Sequence, residues 1–347
     1  MLKSIIHRYS KQYEISLFVI SDLKPEQIEG ARLNHIQVKP WRGFVCRNLW
    51  IYFVLPRIHA SVAKTINDNF DKVFVNHDYF TKSPYLLRYL RKKSIYLCQE
   101  PQREFYEPSK IHASSLKEKI ANMLRFPIKV IDEINVKKAD TVICNSRFSQ
   151  HVISKIYGRR CEIVYPGVDE GFFKPCNNKE EMILCVGGIN TVKDQLFLVK
   201  AIKPLLEKYK LVLVGQGKKE YVDTIRDASG NSSNLIIISK VTDNKLKNLY
   251  CKSMVTCISA HKEPFGLSSI ESQSCGTPVV SVNEGGPLET IITGRTGYLA
   301  KRDVKEYREK VVLAIKNHNK MGKFARSNII KQWSWSITLK KLDTFFK

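Results

Sequence analysis

The sequence of 347 residues lacks several features that assign chains to common protein classes. Its nine cysteines form no C-x-x-C pair, so a zinc site is not indicated. No apolar run approaches the roughly 20 residues of a membrane-spanning helix, and the most apolar stretch is "LWIYFVLP" at 49–56. The start, "MLKSIIHRYSKQYEI", has neither the apolar core nor the small-residue cleavage site of a signal peptide.

Acidic residues are scarce. There are 33 Asp and Glu against 57 Lys and Arg, which gives a net charge of +24. Such a charge favours an anionic partner: a phosphorylated small molecule, a nucleic acid or an anionic membrane surface. No RRM, KH or helix-turn-helix signature is present, so we do not expect a nucleic-acid partner. The cysteines are odd in number, and Cys185 and Cys257 lie inside apolar runs, so we expect reduced, buried cysteines in a cytosolic protein.

Short apolar runs alternate with helical patterns along the whole chain, which predicts two α/β domains with doubly wound parallel sheets. The predicted strands are EISLFVI, KVFVN, SIYLC, DTVIC and EIVY in the first half, and MILCVGG, KLVLVG, NLIII, MVTCIS and PVVSV in the second. Between them, "YPGVDEGFFKPCNNKEE" has the Pro, Gly and polar residues of a linker. We predict domains at 1–170 and 177–332, followed by a C-terminal helical segment at 333–347.

A specific pattern lies in "HKEPFGLSSIESQSCGTPVVSV", His261–Val282. Two glutamates, Glu263 and Glu271, are separated by seven residues and a glycine turn. Taken alone, Glu263 is a solvated loop charge, and Glu271 forms a capping box with Ser268 at the start of its own helix. These two interpretations compete with a shared role in binding a ligand.

The full pattern resembles the signature of the retaining glycosyltransferases of family 4, also called glycosyl transferases group 1. Further blocks resemble that family in the right order: VGGINTVKDQ, LVLVGQG, LKNLYCKSMVTCIS, GGPLETI and TGYLA, and more loosely NSRFSQHVISKIYG, VYPGVDEGFF and WSWSITLKKL. The resemblance implies the GT-B fold, in which two Rossmann-like domains face a cleft, and a C-terminal segment that crosses back to the first domain.

The resemblance also implies roles for individual residues. Glu271 would bind the ribose hydroxyls of a sugar nucleotide, Glu263 would face the donor sugar, and Lys193 would hold the departing diphosphate. The backbone N–H groups of Phe265, Gly266 and Leu267 would face the diphosphate. The family mechanism needs no metal, and this sequence has no Asp-x-Asp.

The implied activity is retaining transfer of a hexosyl group from a nucleotide-diphosphate sugar to a saccharide or lipid-linked saccharide, in surface glycan or glycolipid synthesis. No cofactor other than the donor substrate is expected. The expected location is cytoplasmic, with a peripheral position on the inner face of the cell membrane as a further possibility.

Three positions depart from the family pattern. Gly188 stands where the family has an arginine for the diphosphate; Lys218 and Arg302 are candidate replacements. The first strand and its glycine turn have no counterpart before "LKSIIHRYSKQY", so we expect the first domain to lack that strand. Gln99 stands where many relatives have histidine; beside it, Arg103 and Tyr106 are candidates for acceptor contacts, although Arg103 could equally brace its own loop.

Two other functions compete with transfer. A dinucleotide-dependent oxidoreductase is disfavoured, because "GQGKKE" has two of the three glycines of its motif and no acid properly downstream. A catalytically inactive glycosyltransferase-like partner or scaffold is the stronger rival, since Gly188 favours it while Glu263, Glu271 and Lys193 oppose it.

A basic segment at 115–138 is predicted to be helical, with Ile120, Met123, Leu124 and Ile128 on one side. That side can pack in the core of the first domain. Alternatively, the basic face, with Lys117, Lys119 and Lys129, can dock on anionic lipid.

Overall fold

The computed structural model describes residues 2–107, 125–176 and 178–346. The chain divides into two compact units. The first extends to Tyr165 and includes the segment from Leu339 onward, and the second comprises residues 166–338.

The first unit consists of parallel strands and the helices that connect them. Its strands are β1 (Ser16–Ser21), β2 (Arg32–Gln37), β3 (Val73–Val75), β4 (Ser94–Leu97), β5 (Thr141–Cys144) and β6 (Glu162–Ile163). Its helices are α1 (Leu2–Tyr9), α2 (Phe44–Phe53), α3 (Leu55–Asn69), α4 (Phe126–Lys138) and α5 (Arg147–Tyr157). Two short 3-10 helices cover Tyr85–Arg88 and Arg103–Phe105. Strands β1 and β2 pair with each other, and β3, β4, β5 and β6 form a four-stranded sheet in chain order.

Local sequence signals explain the elements of the first unit. Every residue of β4 is buried, as expected for a central parallel strand. Helix α5 begins where the Ser146 hydroxyl accepts a 2.9 Å hydrogen bond from the Ser149 amide. It ends at Gly158, whose φ of 62° is the left-handed conformation that glycine adopts without a steric penalty.

The second unit has one six-stranded parallel sheet. Its strands are β7 (Met182–Val186), β8 (Lys210–Val214), β9 (Leu235–Ile238), β10 (Val255–Ile258), β11 (Val279–Val282) and β12 (Gly297–Ala300). The helices between and after them are α6 (Gln195–Ile202), α7 (Lys219–Ala228), α8 (Asp243–Lys252), α9 (Leu267–Ser274), α10 (Pro287–Thr290), α11 (Val304–Lys316) and α12 (His318–Gln332). A 3-10 helix follows α6 at Lys203–Leu205, and helix α13 (Trp335–Phe346) begins in the second unit and ends in the first.

The strand order of the second unit brings two of its loops together. Along the sheet the order is β12-β11-β10-β7-β8-β9, so the chain runs outward from β7 to β9 and then returns to the other side of β7. The order therefore reverses between β7 and β10, and ligands of open parallel sheets bind outside the carboxyl ends of strands at such a reversal. The loops after β7 and β10 lie side by side at that point.

The strand predictions are confirmed in each half of the chain, since every predicted apolar run contains a strand. Strands β2 and β12 were not predicted. The β2 sequence RLNHIQ has no continuous apolar run, and β12 is only 4 residues long and begins with glycine. Both are specified by pairing with a neighbour rather than by their own composition.

The expectation that all the cysteines are reduced is wrong for one pair. Cys176 and Cys251 are joined by a disulfide, with their Cα atoms 5.6 Å apart. The two residues are 75 positions apart in the chain, and they meet because the segment after Cys176 pairs with the end of α8, where the Glu180 amide donates to the Lys252 carbonyl. Cys185 and Cys257 are free and buried, as predicted.

The predicted basic helix at 115–138 falls partly outside the described residues, which include none of 108–124. The described helix α4 begins at Phe126, and Ile128 is buried as expected. The Lys129 amine lies 4.8 Å from the centre of the Tyr106 ring and 5.5 Å from that of Phe126. None of the helices in the described parts of the chain is long and apolar enough to cross a lipid bilayer.

A close backbone approach holds α9 against α12. Gly322, inside α12, lies where an added Cβ would come 2.1 Å from the Gly276 carbonyl oxygen. Replacing a helical glycine by alanine ordinarily stabilises a protein by about 1 kcal/mol. Here we expect Gly322→Ala to lower the free energy of unfolding by about 1–3 kcal/mol, because the backbone must move to admit the methyl group.

Urea denaturation would measure this change, and Ser327→Ala, at an exposed position of the same helix, is the control. A Gly322→Ala protein as stable as the wild type would contradict the close approach.

Candidate active site

The loops that follow β7 and β10 are joined by hydrogen bonds. The His261 amide donates to the Val192 carbonyl at 2.8 Å. The Ser259 hydroxyl donates to the Lys193 carbonyl at 2.8 Å. These bonds fix residues 192–193 beside residues 259–261, so side chains that are 70 positions apart in the chain share one site.

Lys193 and Glu263 form an ion pair at this junction. Their side chains are 31% and 16% exposed, so the pair faces solvent on one side only. The interpretation of Glu263 as a solvated loop charge is therefore wrong. Its carboxylate is held by the lysine that the same family resemblance singles out.

A pair of glycines supports the loop that carries Glu263. The Gly286 amide donates to the Glu263 carbonyl at 2.7 Å. An added Cβ on Gly285 would lie 2.4 Å from that carbonyl oxygen, and one on Gly286 would lie 2.4 Å from the Cα of Phe265. Any larger residue at either position would therefore displace the loop.

The loop leads directly into helix α9. Phe265 is buried, and its ring lies 5.6 Å from that of Trp333. Gly266 is the N-cap residue with φ 86°, and within the described residues no side chain caps the helix there. The start of α9, at Leu267, is exposed. The N-terminus of the helix is thus anchored by an aromatic side chain and has no side-chain cap of its own.

Glu271 lies on α9, one turn into the helix. Its carboxylate accepts a 2.9 Å hydrogen bond from the hydroxyl of Tyr250, a fully buried residue of α8. The capping-box interpretation is wrong, because α9 begins at Leu267 with Gly266 as its N-cap and Ser268 already lies inside the helix. Burial raises the pKa of Glu271, although the Tyr250 hydrogen bond lowers it in part.

Gly188 lies in the loop after β7, and that loop is braced by a buried glutamine. The Gln195 side chain donates to the Gly188 carbonyl at 2.9 Å and accepts from the Asn190 amide at 3.2 Å. An added Cβ on Gly188 would lie 3.3 Å from the Asn190 side-chain nitrogen. The neighbouring Ile189 pairs with Gly217, which places exposed Lys218 in the adjacent loop after β8.

Arg302 is not placed to replace the family arginine, because its guanidinium is held by carboxylates and carbonyls. Its guanidinium contacts Asp194 at 2.8 Å and the two Glu284 oxygens at 3.0 and 3.1 Å. It also donates to the carbonyls of Ser259 at 2.9 Å and Ala260 at 3.2 Å. Burial alone would raise the pKa of Glu284, but the hydrogen bonds and charge of Arg302 bring it below its usual value. Of the two candidate replacements, Lys218 is the one that stays a prediction.

The predicted acceptor-side residues lie in the first unit. The Gln99 carbonyl accepts a hydrogen bond from the Ser149 hydroxyl at 3.1 Å. Arg103 forms an ion pair with Glu107, with an N–O distance of 2.9 Å, and the Tyr106 hydroxyl donates to Glu133 at 2.9 Å. The structure thus shows Arg103 bracing its own loop, which is the second of the two interpretations made from the sequence.

Sequence analysis missed two side chains that hold the site, Tyr250 and Gln195, and it predicted a different role for a third, Arg302. Each acts through a contact with a residue far along the chain or buried in a loop, and a single sequence carries no signal for such contacts. Among residues 2–107, 125–176 and 178–346, no three His, Cys, Asp or Glu side chains cluster as metal ligands do.

Comparison with known proteins shows that part of the sequence matches a described family. Residues 169–329 match the family described as glycosyl transferases group 1. The chain is 28% identical to a D-inositol 3-phosphate glycosyltransferase of Gordonia bronchialis over 244 residues, which is 61% of this chain and 53% of the relative. It is 23% identical to an alpha-1,3/1,6-mannosyltransferase of Dictyostelium discoideum over 275 residues, 66% of each chain. The matches therefore span about half to two thirds of the length of these curated relatives.

Solved structures resemble nearly the whole chain. A sucrose-phosphate synthase of Thermosynechococcus elongatus superposes with a TM-score of 0.80 at 16% identity, covering 99% of this chain and 91% of its own. Anabaena HepE, in complex with UDP and glucose, superposes with a TM-score of 0.76 at 17% identity, covering 100% of this chain and 95% of its own. At such identity the resemblance concerns the fold.

The raised pKa of Glu271 gives a prediction about stability. Because its pKa in the folded protein lies above the unfolded value of about 4.3, its contribution to stability is greatest below that value and is lost as pH rises through the folded pKa. We expect Glu271→Gln to have little effect near pH 4 and to become more stable than wild type as pH rises towards 8, because charging the largely buried carboxyl costs free energy that the amide does not.

Urea denaturation across this pH range tests the expectation, with Glu220→Gln, exposed on α7, as the control. A stability difference between Glu271→Gln and wild type that does not change with pH would rule out this linkage.

Proposed function

Because residues 169–329 match the glycosyl transferases group 1 and the chain has the GT-B fold, we propose that the protein transfers a hexosyl group from a nucleotide-diphosphate sugar, with retention of configuration. The observation that carries this proposal is the Lys193–Glu263 pair beside the N-terminus of α9, with Glu271 one turn further along the same helix. These are the charges that a sugar nucleotide requires, held on one edge of one sheet.

Glu271 would bind the ribose of the donor. A carboxylate is an acceptor with two oxygens, and the two adjacent hydroxyls of a ribose are donors. The Tyr250 hydroxyl holds one of the two oxygens, Oε2, and so fixes the orientation of the carboxylate. The energetic cost of keeping this charge partly buried supports a role in binding, because a purely structural position would not require a charged group.

The diphosphate would lie at the start of α9. Gly266 and Leu267 form the N-terminus of this helix and Phe265 immediately precedes it, where the partial positive charge of the backbone favours anions. Lys193 supplies a full positive charge at the same place, since it contacts Glu263 of the preceding loop. Gly188 leaves this end of β7 without the family arginine, and Lys218 in the neighbouring loop is our candidate for the second cation.

The transfer step uses these charges in opposite ways. As the bond from the anomeric carbon to the diphosphate oxygen breaks, negative charge grows on the phosphate and is stabilised by Lys193 and the helix N-terminus. Positive charge grows on the sugar and is stabilised by the Glu263 carboxylate. The acceptor hydroxyl forms the new bond on the same face, and its proton passes to the departing phosphate oxygen, so no protein base is required and Gln99 is compatible with the reaction. The absence of Asp-x-Asp from the sequence supports metal independence.

The proposed acceptor side lies in the first unit. Gln99 and Arg103 follow β4 in the first unit, at the carboxyl end of a strand, where ligands of parallel sheets bind. The ion pair of Arg103 with Glu107 holds the loop after β4 in place. A saccharide or lipid-linked saccharide in surface glycan or glycolipid synthesis is the proposed acceptor. The strongly positive charge supports a cytoplasmic protein placed peripherally on an anionic membrane surface.

An inactive glycosyltransferase-like partner or scaffold is the second candidate, because Gly188 removes one of two cations expected around the diphosphate.

Calorimetric titration with UDP-, GDP- and ADP-sugars tests both candidates. We expect one donor to bind, and Glu271→Gln to weaken its binding by about 1.5–3 kcal/mol, while Glu220→Gln binds normally. Donor binding without transfer to any acceptor would favour the scaffold, and no binding of any nucleotide would contradict the transferase.

Lys193→Ala provides the test of turnover. We expect a loss of about 100–1000-fold in kcat, because one preorganised charge on the leaving group is removed and Glu263 is left without its partner. Lys200→Ala, exposed on α6, is the control and should turn over normally. Turnover of Lys193→Ala close to that of the wild type would refute the assigned role, provided that its unfolding midpoint is unchanged.

A further inference from the structure

Residues 30–67 of the first unit contain no acidic side chain. Over these 38 positions there are six basic residues, Arg32, Lys39, Arg42, Arg47, Arg57 and Lys64. The segment comprises β2, α2 and all of α3 except its last two residues, Asp68 and Asn69. It is therefore a positively charged part of the first unit whose charge has no counterpart of opposite sign within the segment.

Helix α2 within this segment presents apolar side chains to solvent. Val45, Leu49 and Phe53 follow one another at intervals of four, so they form a stripe along one face of the helix. They are 63%, 40% and 60% exposed. The helix also buries Trp50 and Ile51 against the core of the unit. A helix that is apolar on both its inner and outer faces is unusual on a protein surface and indicates a partner for the outer face.

Aromatic and cationic side chains surround the stripe. Trp41, just before the helix, is 50% exposed. Arg42 lies just before the helix, and Arg57, in the first turn of α3, donates to the Phe53 carbonyl at 2.5 Å, so an arginine lies at each end of the stripe. Arg47 lies over the exposed ring of Tyr79, 5.7 Å from its centre. A single carboxylate, Asp22, lines the hollow at the start of the helix together with Arg42 and Arg47.

This composition fits a lipid bilayer better than a protein partner. The stripe is a convex helix face whose three side chains have no hydrogen-bonding groups, and the interior of a bilayer requires none. Tryptophan and tyrosine favour the boundary between lipid and water, and arginine binds phosphate headgroups there. The basic segment at 115–138 is a weaker candidate in its described part, since Lys129 lies against the rings of Tyr106 and Phe126.

We propose that the outer face of α2 docks the protein on an anionic membrane. Val45, Leu49 and Phe53 enter the boundary between headgroups and acyl chains, Trp41 lies at the level of the headgroups, and Arg42 and Arg57 contact lipid phosphates. This inference rests on the proposed function in that it specifies how the proposed membrane attachment occurs. It is tested without donor or acceptor. Membrane docking can therefore fail while donor binding by Glu271 and Lys193 is confirmed, and donor binding can fail while membrane docking is confirmed.

Co-sedimentation with vesicles tests the stripe. The triple variant Val45→Ser/Leu49→Ser/Phe53→Ser should lose at least about tenfold in partitioning onto vesicles of phosphatidylglycerol and phosphatidylcholine. The matched control is Val312→Ser/Leu313→Ser, two exposed apolar residues of α11 in the second unit, which should bind like wild type. Circular dichroism and unfolding midpoints of both variants show whether the fold is retained. Equal binding of a folded triple variant and wild type would overturn the proposal.

The charged residues and Trp41 give two independent measurements. Arg42→Ser and Arg57→Ser should each lower binding at low salt about fivefold, whereas Lys316→Ser, exposed on α11, should not. Brominated lipids should quench tryptophan fluorescence in wild type and much less in Trp41→Phe. Binding to pure phosphatidylcholine vesicles as strong as to anionic ones would overturn the assigned partner.

Hydrogen exchange distinguishes lipid from the other occupants of the stripe. Anionic vesicles should slow the exchange of the α2 amides beyond the protection that the hydrogen bonds of the helix already give. If vesicles leave this exchange unchanged, and sedimentation velocity shows a dimer that the triple variant breaks, the stripe is an interface between copies of this chain and the proposal fails. Unchanged exchange in a monomer would also refute it.

Discussion

The hydrogen bonds that join the loops after β7 and β10 are the constraint on which the candidate site depends. Parallel strands that are neighbours in the sheet but distant in the chain bring these loops together, and the bonds from His261 to Val192 and from Ser259 to Lys193 fix their register. The Arg302 guanidinium joins Asp194 in the loop after β7 to the Ser259 carbonyl after β10, and it also contacts Glu284 after β11. Without this assembly, Lys193 and Glu263 would be two ordinary loop charges.

The same region holds conformations and charges that are costly to maintain. Asp194 has a φ of 48°, which non-glycine residues seldom adopt. Glu271 keeps a partly buried carboxyl whose pKa burial raises. Such costs persist where the surrounding structure over-determines them, and they concentrate at functional sites. The tight packing of Gly285 and Gly286 is a third such feature. All three occur along one edge of one sheet, and together they support the assignment of the site more strongly than any one of them does.

Much of the fold could be predicted from the sequence, because buried parallel strands appear as continuous apolar runs. Runs such as MILCV and VTCI are specified by burial on both faces, and this makes them visible without a structure. Strand β2 escaped because its sequence RLNHIQ is only half-buried. The helix α9 was predicted to begin at Ser268, one residue after its observed start at Leu267. Ser268 fits a capping box by spacing, but the positive φ of Gly266 and the buried Phe265 decide where the helix begins.

The sequence by itself determined the candidate residues of the site, because its resemblance to a known family implies Lys193, Glu263 and Glu271. It also determined the charge of residues 30–67, which contain no acid. Only the tertiary structure decided what those residues contact. Tyr250 orients Glu271, Arg302 is occupied by carboxylates and carbonyls, and Val45, Leu49 and Phe53 face solvent rather than the core. The physical reason is that the sequence specifies which side chain stands at each position but not what it contacts. Its contacts are set by packing between segments that are distant in the chain.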